Sequence, residues 1–126
     1  MGTHEDGRFV LTVEEHINRI RWAPGVTMYA RDVRATTGAV DAVSTGGKRP
    51  LMVHVSSMER ITPTARELLL EETCSTRTAV IGTDPVSRVI TAFNYAAATP
   101  TRYFTDEAEA MEWLLEDPSI DRSRSD

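Results

Sequence analysis

A single cysteine and a single lysine occur among 126 residues, aromatic side chains make up 6%, and no apolar run exceeds a few positions. Each scarcity excludes something. Cys74 has no second cysteine with which to form an internal bridge, so neither a disulfide-stapled secreted scaffold nor a cysteine-rich zinc module fits, and a reducing compartment, the cytoplasm, is expected. The runs Leu68-Leu69-Leu70 and Ala79-Val80-Ile81 fall far short of the roughly 20 apolar residues that a membrane-spanning helix needs. Met1 to Gly7 is polar and has no signal-peptide core. The three histidines, His4, His16 and His54, lack the HxH or HxxxH spacing that builds metal sites. There is no Gly-x-Ser-x-Gly elbow, no Gly-x-x-x-x-Gly-Lys loop and no Gly-x-Gly-x-x-Gly turn, so no catalytic constellation, metal or cofactor is predicted. Cys74 follows the acids Glu71 and Glu72, which disfavour a thiolate and hence a nucleophilic role.

What remains is one domain's worth of ordinary α/β sequence. At 40% hydrophobic and 26% charged, a chain of this length buries enough surface to need no staple. The net charge of −5 is unevenly spread: residues 105–126 carry eight acids against two arginines, whereas residues 1–104 are nearly neutral. No basic cluster suited to neutralising phosphates is present, so a nucleic-acid partner is not expected.

Hydrophobic period sets the element order. Phe9, Leu11 and Val13 alternate with Val10 and Thr12, and Ile20 and Trp22 alternate with Arg19 and Arg21, which predicts an antiparallel hairpin stopped at Pro24-Gly25. Thr27 is the expected N-cap of a helix whose stripe is Tyr29, Val33, Thr36, Val40 and Val43, ending at Gly46-Gly47. Leu51 to Val55 and Thr78 to Ile81 are near-continuous apolar runs, the mark of strands covered on both faces. Thr62-Pro63 and Asp84-Pro85 each combine a cap with proline at the first helical position, opening helices with inner stripes of Ala65, Leu68 and Leu69, and of Val86, Val89, Ile90 and Phe93. Thr101 to Phe104 is a last short strand, and Thr105 caps a helix with Asp106 and Glu107 in its first turn and Ala110, Met111, Leu114 and Leu115 inside. The prediction is an α/β fold of order ββαβαβαβα, a mixed sheet in which the antiparallel hairpin leads into strand–helix units with right-handed crossovers. Residues 1–7 are expected to be a flexible leader, 8–117 the domain, and 118–126 a disordered acidic tail.

With this order in place, the run Pro-Thr-Arg-Tyr-Phe-Thr-Asp-Glu-Ala-Glu-Ala-Met-Glu-Trp-Leu (100–114) resembles the closing strand and helix of SpoIIAA-like proteins, the STAS-type fold of anti-sigma-factor antagonists. Leu51 to Ala65 is similar to the strand and helix start that carry the phosphorylated serine in those antagonists, and Arg77 to Arg88 to the following strand and helix. The resemblance spans about residues 8–117 and extends to bacterial SpoIIAA-like proteins of unassigned function, related in fold to the lipid-binding CRAL-TRIO domains. It implies a fold rather than a reaction. Where antagonists carry Asp-Ser-Ser-Gly, this chain has Thr62-Pro63-Thr64-Ala65, so the resemblance places Thr64 at the phosphorylated position, with Thr62 in place of the acid and Ala65 in place of the glycine.

Ligands of open parallel sheets bind beyond the carboxyl ends of the strands, where helix N-termini present free amides. That edge is expected to collect Ser56, Ser57, Thr62, Thr64 and Arg66 from one unit and Thr83, Ser87 and Arg88 from the next, a candidate anion or phospho-regulatory site. The plainer roles are helix caps for Thr62 and solvated side chains for Arg66 and Arg88. The leading functional reading is a non-enzymatic regulatory or protein-interaction module acting through the surface of its first two helices. The alternative is a carrier for a small lipid or anion, and the most remote is a hydrolase with an unrecognised site. The partner is thus an unknown protein or small ligand, and an edge strand with Trp22 or Tyr103 offers a route to a homodimer. A filled interior with an exposed apolar patch marks the first reading, a closed cavity the second.

Overall fold

Alternation along Phe9–Val13 (β2) and Asn18–Trp22 (β3) sorts the hairpin into an apolar face and a polar one, and the rest of the molecule is built on that sorting. The computed structural model describes residues 3–5, 8–55, 59–71, 73–82 and 98–116. After the hairpin come Thr27–Met28 (β4), the helix Ala30–Val43 (α1), Arg49–His54 (β5), Arg60–Ile61 (β6), the helix Pro63–Glu71 (α2), Ser75–Ile81 (β7), Thr101–Phe104 (β8) and the helix Glu107–Leu114 (α3). The segment expected to be a leader adds one more strand, Thr3–Glu5 (β1), antiparallel to β2. Among the described residues the main sheet has six strands in the order β1-β2-β3-β5-β7-β8, antiparallel across β1, β2 and β3 and parallel from β3 onward. This is the predicted mixed sheet. The helix read at Asp84–Phe93 and the tail from 118 lie outside the described residues.

The register of β3 on β5 sets Ile20 opposite Val53 and Arg19 opposite Met52. On one face Phe9, Leu11, Ile20, Trp22, Leu51 and Val80 meet Val33 and Val40 of α1 and Ala65 of α2. On the other, Met52, Ala79 and Phe104 meet Ala110 and Leu114 of α3 together with Ile17. The parallel strands are therefore covered on both sides, which explains why Leu51–Val55 and Thr78–Ile81 are apolar without a break. Trp22 is 6% exposed with its ring centroid 5.3 Å from that of Phe9, on an interior strand, so it is a core residue rather than a dimer contact. Tyr103 lies on the edge strand β8 and is half-buried, its hydroxyl donating to the Gly82 carbonyl.

Thr27 does not cap α1. It is drawn into β4, and the helix begins three residues later with Tyr29 at the N-cap position. The cap is supplied from inside the helix: the Asp32 carboxylate accepts from the Tyr29 amide at 2.8 Å. The same carboxylate receives Arg8 Nε at 2.7 Å and Nη2 at 3.0 Å, while that guanidinium also donates to the Thr27 carbonyl at 2.6 Å. Burial pushes the Asp32 carboxyl upward, but the bonds from Arg8 and from the Tyr29 amide outweigh it and hold it below the ordinary range. Its contribution to stability is therefore present above the unfolded value of about 3.9 and disappears as the pH falls through the lower folded value. Asp32→Ala removes a cap and the two bonds that Arg8 donates to that carboxylate. Because Arg8 keeps about a third of its side chain in water, the expected loss is about 2–3 kcal/mol, less than for a fully buried pair. Urea unfolding at neutral pH should show a lower midpoint with an unchanged slope.

Candidate functional site

Beyond the carboxyl ends of β3 and β5 the chain forms a second, small sheet. After the Pro24-Gly25 turn, where Gly25 takes a φ of 77°, β4 runs parallel to β6 with Thr27 opposite Arg60 and Met28 opposite Ile61. Flanking bonds extend the ribbon: the Glu59 amide donates to the Val26 carbonyl at 2.8 Å and the Thr62 amide to the Met28 carbonyl at 3.0 Å. Met28 and Ile61 are buried in the core, so Thr27, Tyr29, Arg60 and Thr62 alternate to the outer side. Each strand of the ribbon runs directly into a helix, so α1 and α2 start side by side at this rim.

Thr62 is the cap the sequence predicts, its hydroxyl accepting from the Ala65 amide at 3.3 Å. Thr64, two residues further on, is exposed in the first turn of α2, and Arg66 is half-buried. Tyr29 is the feature the helical stripe misassigned. Because the helix starts after it, the ring is 42% exposed instead of buried, and the Arg31 guanidinium lies 4.9 Å above it. Ser56, Ser57, Thr83, Ser87 and Arg88 lie outside the described residues.

A second group of polar side chains occupies the opposite face of the sheet, and no sequence motif announces it. Arg19 on β3 donates from Nε and Nη2 to Glu14 at 2.6 and 3.1 Å, and from Nη1 to Glu107 at 2.9 Å. Its Nη1 also lies 2.7 Å from His54 Nε2, so the neutral imidazole accepts there, and 3.1 Å from Met52 Sδ. Arg19 is 8% exposed, a charge buried only because two carboxylates surround it. The partners come from the β2–β3 connection, from β5 and from α3, as far as 88 residues away in sequence. The bond from Arg19 holds the Glu14 carboxyl below its ordinary range. Desolvation, then the charges of Arg21 and Arg19, depress the imidazole of His54, with Glu107 and Glu14 opposing. The unfolded chain, with a histidine value near 6.5, thus binds the proton more readily than the folded one, so this group weakens the fold as the pH falls below about 6.5.

Between the sheet and the helices α1 and α2 lies an apolar cavity of about 100 Å³, lined among others by Trp22, Val33, Val40, Leu51, Leu69 and Val80. Ligand pockets generally measure about 300–1,000 Å³, so a cavity of this size does not favour the carrier reading. Among the described residues no group of three His, Cys, Asp or Glu side chains is arranged to hold a metal, and no helix is long and apolar enough to cross a membrane.

An antiparallel hairpin leading into parallel strand–helix units, with helices on both faces, defines an SpoIIAA-like fold. The chain superposes on the crystal structure of a DUF3478-family protein with that fold from Shewanella loihica PV-4, with a TM-score of 0.57 and 15% identity over 90% of this chain and 91% of that one. The anti-sigma factor antagonist SpoIIAA in its unphosphorylated form aligns with a TM-score of 0.48 and 16% identity over 92% and 97% of the respective chains. A protein of unknown function from Arthrobacter sp. FB24 aligns with a TM-score of 0.34 and 27% identity over 83% and 91%. No curated protein matches the chain. The family model described as a domain of unknown function, DUF7793, matches residues 11–116, and the chain belongs to that family.

The two threonines of the α2 start should behave differently on substitution. Thr62→Ala is expected to lower stability by about 1 kcal/mol through loss of the cap, whereas Thr64→Ala, on an exposed side chain, should stay within about 0.5 kcal/mol of the parent. Urea titrations of the two variants compare them directly. A second titration series tests His54: the parent's unfolding midpoint should decline between pH 7.5 and 5.5, and this decline should be shallower in His54→Gln.

Proposed function

We propose that this chain is a non-enzymatic regulatory module that docks a protein partner on the rim formed by the β4–β6 ribbon and the first turns of α1 and α2. The observation that carries this reading is Tyr29: a large aromatic left 42% exposed on an otherwise polar rim, with Arg31 stacked over it. Tyrosine and arginine dominate the energetics of protein interfaces because they bring a large, rigid contact area and directional hydrogen bonds. Arg60 and Thr64 are exposed on the same rim. The resemblance of residues 51–65 and 100–114 to the antagonists points to the same class of role, with binding rather than turnover as the output.

Thr64 is the regulatory position in this proposal. Its side chain is exposed at the second position of α2, where a phosphoryl dianion is favoured by the helix N-terminus. A partner seated on Tyr29 would then have to desolvate that added charge. Ser56, Ser57, Thr83, Ser87 and Arg88, together with Thr62 and Arg66, remain the other candidate anion or phospho-regulatory residues of the proposal. Self-association through the β8 edge is a separate part of the proposal, since among the described residues β8 is the last strand of the sheet.

The test is affinity capture from extracts of the cells that make the protein, with quantitative mass spectrometry and matched amounts of each bait. A partner retained by the parent and by an Asp41→Ala control should be depleted at least tenfold with Tyr29→Ala and with Thr64→Glu, both of which should unfold at the parent's urea midpoint to within about 0.5 kcal/mol. An unchanged set of retained proteins across all four baits contradicts the reading.

A further inference from the structure

The charged cluster on the second face belongs to no part of the proposed docking rim, yet its geometry is that of a device. Arg19 Nη1 stands between two acceptors on different elements, His54 Nε2 at 2.7 Å on β5 and Glu107 Oε1 at 2.9 Å in the first turn of α3, while His54 Nε2 and Glu107 Oε1 lie 3.5 Å apart. Arg19 Nη1 and His54 Nε2 thus converge on one carboxylate oxygen, and the arrangement holds only while the imidazole accepts from Arg19.

We propose that His54 is a proton-operated latch on the first turn of α3: neutral, it accepts from Arg19 and leaves Glu107 on that guanidinium; protonated, it becomes a donor, separates from Arg19 and takes the Glu107 carboxylate. The charge balance supports this. The groups facing His54 are Arg19 and Arg21 from β3, Glu14 from the β2–β3 connection and Glu107 from α3. Among the described residues these formal charges cancel, so a proton on the imidazole adds a fifth, positive charge to the group. Ile81, which pairs with His54 on the β7 side, offers none. Glu107 is 53% exposed and accepts from Arg19 through one oxygen, whereas Glu14 is held through both of its oxygens by Arg19.

The two ends of α3 are held differently, and in this proposal the first turn is the one that responds. Its last turn is fixed by Arg77, which donates to the Trp113 carbonyl at 2.6 Å and lies 5.1 Å over the Trp113 ring, with Arg102 at 5.6 Å from the same ring. A change of partner at Glu107 therefore displaces the first turn, and with it the exposed carboxylates of Asp106 and Glu109, relative to the sheet.

The experiment is a pH titration of the uniformly ¹⁵N-labelled full chain from pH 8 to 5.5, following the His54 ring signals and the amides of Asp106 to Glu109. In the parent both should trace one curve. Glu107→Gln should move the His54 midpoint to lower pH, because a negative neighbour is gone, and should reduce the amide shifts of the first turn at least twofold. His54→Gln should abolish the shared titration while the Trp113 indole signal stays in place. First-turn amides that do not move while His54 titrates, an unmoved His54 midpoint in Glu107→Gln, or a first-turn titration that persists in His54→Gln each overturn the latch. Should His54→Gln fail to fold, the Glu107→Gln comparison decides alone.

Discussion

The parallel register of β3 on β5 is the constraint from which the rest of the molecule follows. With Asn18 opposite Leu51 and Arg21 opposite His54, every even-numbered residue of β3 is turned to the α1–α2 side and every odd one to the α3 side. A slip of one residue would exchange Ile20 and Trp22 with Arg19 and Arg21, placing two guanidinium groups in an apolar core. That cost, several kcal/mol for each unpaired buried charge, is what makes the register unique. The antiparallel pairing of β2 with β3 carries the same sorting outward, with Phe9 opposite Trp22 and Leu11 opposite Ile20.

The two faces have different chemistry because they are closed differently. The α1–α2 face is closed by apolar side chains and by the short ribbon in which β4 and β6 pair, so the two helices are fixed to each other before they reach the sheet. The α3 face is closed partly by Phe104, Ala110 and Leu114 and partly by the Arg19 cluster, so its helix is held by packing along its inner side and, at its start, by charge as well. A helix end held by hydrogen bonds to titratable groups can be released by a proton; one held by apolar contact cannot. The rim and the cluster are thus independent surfaces of one fold.

Much of this order was legible in the residues. The long apolar runs Leu51–Val55 and Thr78–Ile81, the Thr62-Pro63 start and the alternation in β2 and β3 state their environment directly, since each is a local pattern set by a single neighbour type. The strands β1, β4 and β6 were not legible, because elements of two or three residues have no period to detect. Thr27 read as a cap for the same reason that it is a good strand residue: its β-branched, hydroxyl-bearing side chain suits both, and only the pairing with Arg60 decides. Tyr29 lay on the helical stripe by spacing but fell outside the helix once its start moved to Ala30. The Arg19–His54–Glu107 cluster had no signal at all in one dimension, since its members come from β3, β5 and α3 and meet only after the sheet has formed.

The fold is SpoIIAA-like, and the family match over residues 11–116 runs from within β2 to the end of α3. Its exposed aromatic rim and its charged clamp both depend on the one strand pairing. Isotope-edited cross-strand NOEs between β3 and β5 measure that pairing directly. The account requires backbone contacts joining Ile20 to Val53 and side-chain contacts joining Arg19 to the Met52 methyl. Contacts that instead join Ile20 to Met52 with Arg19 turned toward Val40 of α1 would contradict it.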